Sequence, residues 1–317
     1  MTQSHNIGTQ IVGAVVGLVV VVIAFASLLL LKRRRRTSRN ERPPDKDELL
    51  RPPGYSLLKR MEDLEEKFLF ATGELCGAGV ILGLLCSALY PAAEGLARHR
   101  FTFSDLRAYS ASYVLLTLAL MAVVALLGLV HGLTRASRFI DELWSCRLGL
   151  RGEQAVAEKL ADPEVAKAGY VAFHDVPGDG AWNIDHVVVG PGGIFVLETK
   201  TRSRRRATRD QAEHEVLFNG RTLQFPWGDD RDAVHQAERN SSWVRKFVAG
   251  FAPKDITVQP VLVVPGWWVE PSGNFPVKAM NAKYLVRYLM SHKRQFALDQ
   301  LEPVRRRFEE RCRDVEF

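Results

Sequence analysis

Two carboxylates and a lysine occur together in one short apolar segment of this chain, WNIDHVVVGPGGIFVLETK at residues 182–200. Both halves of the segment are rich in apolar and β-branched residues, and they flank a Gly-Pro-Gly-Gly turn at residues 190–193, which predicts a β-hairpin. If the strands pair symmetrically about the turn, Asp185 and Glu198 lie directly opposite each other, with Cβ atoms about 5 Å apart. Lys200 follows two residues after Glu198 and shares its face of the strand.

An acid pair of this kind suggests a metal site. Like charges that face each other across a strand pair are destabilising, so two carboxylates in apolar surroundings require a compensating cation. Ligation by carboxylate oxygens and water is typical of Mg²⁺ or Mn²⁺ rather than of zinc. Lys200 could then orient a metal-bound water beside a phosphodiester, or help to deprotonate it. The simpler interpretation is a salt bridge in which Lys200 only neutralises Glu198.

A further acid is expected upstream, in a short helix at residues 148–160. Glu153, Val156 and Leu160 share one face of this helix, so Glu153 is expected to point inward with the apolar residues. An inward acid is unusual unless it is paired or binds a ligand. The alternative is an exposed glutamate in the first helical turn, where the helix dipole favours it.

A second helix is expected at residues 233–247, where Gln236 and Asn240 lie one turn apart on one stripe. Gln236 could reach a phosphate or the metal-bound water, although a solvated amide is the more common outcome. No Walker-type phosphate loop, dinucleotide-binding fingerprint or Cys/His zinc spacing occurs in the sequence.

The chain is basic, with a formal net charge of +7 and a pI near 9.3. Part of this charge is the run KRRRR at residues 32–36, which an anionic membrane surface would attract. A second cluster follows the hairpin and is better placed to contact nucleic-acid phosphates. Its predicted phosphate-binding residues are Arg202, Arg204, Arg205 and Arg206. A solvated flexible loop is the alternative for this cluster.

Three apolar segments indicate a membrane protein. Residues 11–31 form an uncharged run long enough to cross a hydrocarbon core of about 30 Å, and residues 68–90 and 109–133 are two further apolar runs. The basic residues after the first run place that side in the cytoplasm and the N-terminus outside. A cleaved signal peptide is the alternative for the first run. We therefore expect a multi-pass protein of the inner (plasma) membrane, in contact with the lipid bilayer, whose C-terminal domain is cytoplasmic.

The order of these motifs resembles a known family. Gly152-Glu153 in a helix, Ile184-Asp185-His186 in a strand, a G-x-x-G turn into IFVLETK, and a later helix beginning near His235-Gln236-Ala237 are similar to the nuclease-related domain, NERD. NERD is regarded as a branch of the PD-(D/E)XK nuclease-like superfamily. The similarity covers roughly residues 148–265, and we expect the domain to continue to about His292. The basic segment 201–206 departs from the family pattern.

The resemblance implies an α/β, restriction-endonuclease-like core with a central mixed β-sheet flanked by helices. It implies that Glu153, Asp185, Glu198 and Lys200 occupy the active-site positions and that Gln236 has an accessory role. Asp185 and Glu198 would be the metal ligands, Glu153 a supporting acid, and Lys200 the residue that positions water or stabilises charge.

The predicted organisation places this domain after the membrane segments. The predicted boundaries are an external N-terminus at 1–10, transmembrane helices at 11–31, 68–90 and 109–133, a basic cytoplasmic linker at 32–67, an external loop at 91–108, a juxtamembrane linker at 134–147, the NERD domain at 148–292 and a C-terminal helix at 293–317.

The sequence therefore predicts a membrane-anchored nuclease that cleaves nucleic acid, with DNA the expected substrate, by Mg²⁺- or Mn²⁺-dependent phosphodiester hydrolysis. The main alternative is a non-catalytic module of the same fold that tethers DNA or a protein partner to the membrane. A third interpretation makes the membrane helices a small sensor with the C-terminal domain as its output.

Overall fold

The computed structural model describes residues 49–97, 109–204, 206–209 and 211–313, except for the side chains at 82, 84–97 and 109–118. The predicted membrane segment at residues 11–31 and the basic run after it lie outside these residues. The helices are α1 Tyr55–Ala97, α2 Tyr109–Leu160, α3 Pro163–Lys167, α4 Asp232–Val248, α5 Leu285–Met290 and α6 Leu298–Arg311, with a 3₁₀ helix at Ala282–Tyr284. The strands are β1 Val171–Pro177, β2 Asn183–Gly190, β3 Gly193–Thr199, β4 Glu215–Phe218, β5 Leu223–Phe225, β6 Gly228–Asp230, β7 Val258–Val263, β8 Trp268–Pro271 and β9 Lys278–Met280.

The strands form two mixed sheets flanked by helices, which agrees with the α/β class predicted from the sequence. The main sheet has the order β1-β2-β3-β7-β9, antiparallel from β1 to β3 and parallel from β3 to β9. The second sheet has the order β6-β5-β4-β8. The sequence patterns did not predict this second sheet, whose strands are only three or four residues long.

The main sheet is covered by apolar side chains from helices on each side. Val187, Val189 and Ile194 pack in one core cluster with residues of α4 and α6. Val188, Phe195 and Leu197 pack in another with the C-terminal part of α2 and with α5. Because adjacent residues of β2 and β3 enter different clusters, both strands are buried almost throughout.

The β2–β3 hairpin has the register that its turn predicts. Gly190 pairs with Gly193, and the ladder continues to the pair His186 and Leu197. Gly193 has a φ of +124°, a backbone conformation that L side chains rarely adopt, and a Cβ there would press against Thr257. Glycine at this position therefore fixes the turn and, through it, the register of both strands.

The chain divides into two compact units. Among the described residues, one unit contains 63–143, and the other contains 49–62 together with 144–313. Part of the predicted linker at 32–67 therefore belongs to the same unit as the sheets. Helix α2 runs without a break through the predicted linker at 134–147. The C-terminal helix predicted at 293–317 is α6, which packs its Leu301, Val304 and Phe308 into a core cluster of the main sheet.

The unit at residues 63–143 consists of parts of α1 and α2. Small residues mark the contact between these helices, since Ala71 and Ala125 are buried and a Cβ at Gly132 would press against Leu75. Glu74, an isolated acid in a predicted membrane segment, pairs with Arg135 of α2 at 3.1 Å.

One helix among the described residues is long and apolar enough to cross a membrane, Ala119–Leu160. Its apolar residues are largely exposed, with Leu120 at 63% and Leu127 at 64%. The sequence predicted three crossings, and the structure supports one of them by length and composition.

Candidate active site

Asp185 and Glu198 lie at the open end of the β2–β3 hairpin. The last pair of the ladder is His186 and Leu197, so Asp185 and Glu198 come next on their strands, as the hairpin pattern predicted. Oδ2 of Asp185 accepts a hydrogen bond of 2.6 Å from the backbone N–H of Thr199. The carboxylate of Asp185 is thereby held against the end of β3.

Glu198 is buried, with 1% of its surface exposed, and both of its carboxylate oxygens have partners. Oε1 pairs with Nζ of Lys200 at 2.8 Å, and Oε2 accepts a hydrogen bond of 3.0 Å from Nδ2 of Asn240. Nζ of Lys200 also donates to Oε1 of Gln236 at 2.8 Å. Helix α4 therefore holds Glu198 of β3 and Lys200, which follows the strand, through two amide side chains one turn apart.

Glu153 is buried near these residues, at the inward position that its helical spacing predicted. Burial, followed by the negative charges of Asp175 and Glu198, raises the pKa of Glu153 to about 8. Its Oε2 is buried and has no hydrogen-bond partner among the described residues. A buried carboxyl oxygen without a partner is costly, which makes this position a candidate for binding a proton, a water or a cation.

The three acids influence one another electrostatically. Burial raises the pKa of Asp185 well above its usual range, and the charges of Glu198 and Glu153 raise it further. Burial also raises the pKa of Glu198, while the charges of Lys200 and Arg239 lower it. Lys200 therefore offsets only part of the cost of bringing these carboxylates together.

Asp175 is an additional acid that the sequence patterns did not identify as part of the site. It is buried on β1, and its φ of +49° is unusual for a residue other than glycine. Oδ2 of Asp175 pairs with Nη1 of Arg51 at 3.0 Å, and its carboxylate also accepts hydrogen bonds from the backbone N–H and the hydroxyl of Ser56. Burial raises the pKa of Asp175, while these contacts with Ser56 and Arg51 lower it.

The basic segment after β3 is tied to the second sheet. Arg202 pairs with Asp230 at 2.5 Å, and Arg209 pairs with Asp229 at 2.6 Å. Arg204 donates to the carbonyl of Gly266 at 3.3 Å. Arg206 is exposed, and Arg205 lies outside the described residues. The structure therefore places Arg202 next to an acid, where the sequence predicted a contact with phosphate.

A cleft of about 740 Å³ opens beside Lys200. Aromatic side chains from β5 and the turn after it form part of its wall, where Phe225 stacks on Trp227 with ring centroids 5.4 Å apart. The remaining lining residues are polar or small: Arg202, Gly228, Asp229, Asp230, Arg231 and Asp232.

Asp185 and Glu198 suit a magnesium or manganese ion by charge and donor type. Their oxygen-only donor set, their raised pKa values and the partnerless oxygen of nearby Glu153 all favour added positive charge. Against this, no group of three or more His, Cys, Asp or Glu residues in the described part of the chain has the arrangement of a metal site. Lys200 also holds one of the Glu198 oxygens. The side chains are therefore of the right type but are not arranged as a ready ligand shell.

The residue next to Asp185 belongs to a different polar cluster. Nδ1 of His186 lies 2.8 Å from Nδ1 of His174 on β1, so one of these nitrogens is protonated and the other accepts. His186 is fully buried, and its Nε2 has no partner among the described residues. Burial lowers the pKa of His174 to about 4 and places that of His186 well below its usual range.

Comparison with known proteins gives one match. Neither a curated protein nor a solved structure is significantly similar to this chain. A protein-family model matches residues 148–265, which include Glu153, Asp185, Glu198, Lys200 and Gln236. The family is described as the nuclease-related domain, NERD, and this chain contains such a domain at residues 148–265.

Proposed function

We propose that this protein is a membrane-anchored nuclease that hydrolyses phosphodiester bonds of nucleic acid, with DNA as the expected substrate, in the presence of Mg²⁺ or Mn²⁺. The observation that carries the proposal is the grouping of Glu153, Asp185, Glu198 and Lys200 within the nuclease-related domain. We refer to these four residues as the acid–lysine cluster. Acids with raised pKa values around a lysine, beside an open cleft, form a typical candidate for a catalytic site.

Each residue of the acid–lysine cluster has a proposed role. Asp185 and Glu198 would hold the cation, which when bound supplies Lewis acidity and lowers the pKa of a water. Lys200 stabilises negative charge on the phosphate and orients the attacking water. Glu153 acts as a supporting acid that accepts or releases a proton near that water. Gln236 positions the Lys200 ammonium through its hydrogen bond.

The alternative function is a non-catalytic module that binds DNA or a protein partner at the membrane. One observation favours it: both oxygens of Glu198 and the ammonium of Lys200 already have partners within the chain. An enzyme with this site must admit a cation beside the Lys200 and Asn240 contacts of Glu198 when substrate binds, whereas a binding module would retain these contacts unchanged.

The membrane arrangement also remains a proposal beyond the one candidate helix. We propose a multi-pass inner-membrane protein with three crossings, an external N-terminus and a cytoplasmic nuclease-related domain. The exposed apolar residues of α2 support the crossing at its N-terminal half, because a helix in a soluble core would bury them.

The function is tested by incubating the full-length protein in detergent with labelled linear DNA, circular DNA and RNA, in Mg²⁺, Mn²⁺ or EDTA. The full chain is required because a fragment that begins after the helices lacks Arg51 and Ser56, which hold Asp175. We expect cleavage that depends on the metal and is lost in Glu198→Gln and Lys200→Gln.

Two exposed residues of α4 provide matched controls for these variants. Glu238→Gln and Lys246→Gln make the same chemical changes away from the acid–lysine cluster and should cleave normally. If folded wild-type protein binds nucleic acid and does not cleave it in either metal, the proposal of catalysis is overturned in favour of the binding module. If Lys200→Gln cleaves as fast as the wild type, Lys200 has no catalytic role.

A further inference from the structure

Helix α4 carries a cation next to the acid–lysine cluster that no part of the sequence interpretation assigned. This cation is Arg239, which directly precedes Asn240, the residue that binds Glu198. It also lies three residues after Gln236, which binds Lys200. Its side chain is exposed. Arg239 also lies close enough to Glu198 that its charge influences that carboxyl. The guanidinium is therefore positioned by the same helix that orders the cluster.

An aromatic ring, rather than a carboxylate, orders this guanidinium. The Cζ atom of Arg239 lies 5.1 Å from the ring centroid of Trp182. Trp182 is itself held edge-on against Trp243, with centroids 5.7 Å apart, and the indole N–H of Trp243 donates to Asp179 at 2.7 Å. An arginine stacked on an aromatic face keeps its N–H donors available in the guanidinium plane.

The other arginines near the cluster differ in this respect. Arg202 and Arg209 have carboxylate partners that offset their positive charge, so each attracts a phosphate less strongly than an arginine without such a partner. No carboxylate in the part of the chain that the structure describes forms an ion pair with Arg239. A phosphate can therefore bind Arg239 without breaking an existing salt bridge, and the planar fork of an arginine suits two phosphate oxygens.

We propose that Arg239, stacked on Trp182, binds a backbone phosphate of the nucleic-acid substrate on the side of the acid–lysine cluster nearest β2. This inference deepens the proposed function and rests on it for the identity of the ligand. It replaces the paired Arg202 with Arg239 as the principal phosphate contact. Arg239 holds the strand, and the residues of β2 and β3 face the phosphodiester that is cleaved.

The test is the salt dependence of binding by full-length protein in detergent, measured in EDTA by anisotropy of a fluorescein-labelled DNA single strand and of its duplex. Binding is measured between about 50 and 200 mM salt, where each lost phosphate contact reduces the slope of log K against log salt by about 0.7 for single strands and about 0.9 for duplexes. We expect Arg239→Gln to show this reduction. Lys246→Gln removes the same charge from the same helix, at an exposed position, and should keep the wild-type slope.

The stacking contact is tested separately with Trp182. Trp182→Leu should weaken binding in the wild-type background and have little further effect in the Arg239→Gln background, because both changes remove the same phosphate contact. Trp182→Phe retains an aromatic ring and should bind nearly as well as the wild type. A change in thermal stability without a change in salt slope would indicate a structural role for the stack and would overturn the proposal.

The same variants separate this inference from the proposed nuclease activity. If Arg239→Gln shows the expected reduction in the slope of log K against log salt and the wild type cleaves no nucleic acid, Arg239 binds phosphate in a non-catalytic module. If the wild type cleaves nucleic acid and Arg239→Gln keeps the wild-type salt slope of binding, the nuclease proposal stands and the proposed phosphate contact of Arg239 is wrong. Equal slope changes in Arg239→Gln and Lys246→Gln, or no nucleic-acid binding by the wild type, would also overturn the inference.

Discussion

Two polar clusters begin at adjacent residues of strand β2, and burial affects their protonation in opposite directions. Asp185 belongs to the acid–lysine cluster, in which burial raises the pKa values of the acids. His186 belongs to the histidine pair with His174, in which burial lowers both pKa values. In both clusters burial favours the neutral form, which raises the pKa of the acids and lowers the pKa of the imidazoles.

The clusters also differ in what surrounds them. The acid–lysine cluster adjoins an open cleft and receives two amide side chains from α4. The two histidines of the pair contact each other across neighbouring strands. Burial of titratable groups therefore does not by itself mark a catalytic site. Accessible space and nearby cations distinguish the acid–lysine cluster as the candidate for chemistry.

The largest expected difference between the clusters concerns catalysis. Lys200→Gln should reduce the rate of DNA cleavage by a factor of about 10² to 10⁴, the usual contribution of a positioned proton-transfer or charge-stabilising group. His174→Gln should change that rate by less than about threefold, since the histidine pair is not proposed to meet the substrate. The measurement is kcat/KM in Mg²⁺. An equal loss in both variants would place the histidines in the active site and remove the distinction.

The next effect is on stability and concerns the histidine pair. His174→Ala leaves Nδ1 of the buried His186 without its partner, which should cost about 1–3 kcal/mol. For a domain of this size we expect a melting temperature lower by about 2–4 °C per kcal/mol. Thermal unfolding followed by fluorescence measures this change. His235→Ala removes an exposed imidazole from α4 and should leave the melting temperature unchanged.

The two clusters should also differ in their contribution to stabilisation by divalent cations, and this effect should be moderate. If Mn²⁺ binds the acid–lysine cluster of the folded protein, as we propose, Mn²⁺ at ten times its Kd should stabilise the protein by about 1.4 kcal/mol. We expect this increase in melting temperature to disappear in Asp185→Asn and to persist in His174→Gln. The opposite pattern would assign cation binding to the histidines, and an equal increase in all three proteins would indicate binding elsewhere.

A further difference should appear in the pH dependence of stability without metal. Because the folded pKa of Glu153 is about 8 and its ordinary value is 4.5, the protonated carboxyl contributes stability fully below pH 4.5, and this contribution is lost as the pH rises through 8. For His174, with a folded pKa of about 4 against 6.5, the contribution is present above pH 6.5 and is lost as the pH falls through 4. Melting temperatures should therefore decline towards both ends of this range.

Single variants show which residue causes the acid decline and which causes the alkaline decline of melting temperature. Glu153→Gln should flatten the alkaline decline and leave the acid side unchanged. His174→Gln should flatten the acid decline and leave the alkaline side unchanged. An alkaline decline that persists unchanged in Glu153→Gln would show that this glutamate does not retain its proton in the folded protein.

The placement of the acid–lysine cluster could be predicted where local rules determine it. A glycine turn between symmetric apolar strands determines the strand register and so predicts that Asp185 and Glu198 lie opposite each other. Helical spacing predicts that Glu153 points inward. Asp175 could not be identified in this way because its partner Arg51 lies 124 residues earlier in the chain. Its positive φ also departs from ordinary strand geometry.

Other features escaped prediction for different physical reasons. The second sheet contains strands too short to show a clear two-residue alternation, so its contribution to the cleft could not be anticipated. The basic segment was correctly seen as charged, but sequence spacing does not show that Asp229 and Asp230 lie beside its arginines. The stack of Arg239 on Trp182 likewise joins a helix to a loop that is distant in sequence.

The division of the chain has a topological consequence for the membrane. Residues 49–62 and the segment after residue 143 form one folded unit, joined by contacts such as that of Arg51 with Asp175. Both ends of the intervening segment therefore lie on the same side of any bilayer. If α2 crosses a bilayer, as we propose, the segment before it must therefore also cross, because an odd number of crossings would separate the two ends. In chain order, residues 63–143 are an insertion within the unit that contains the two sheets.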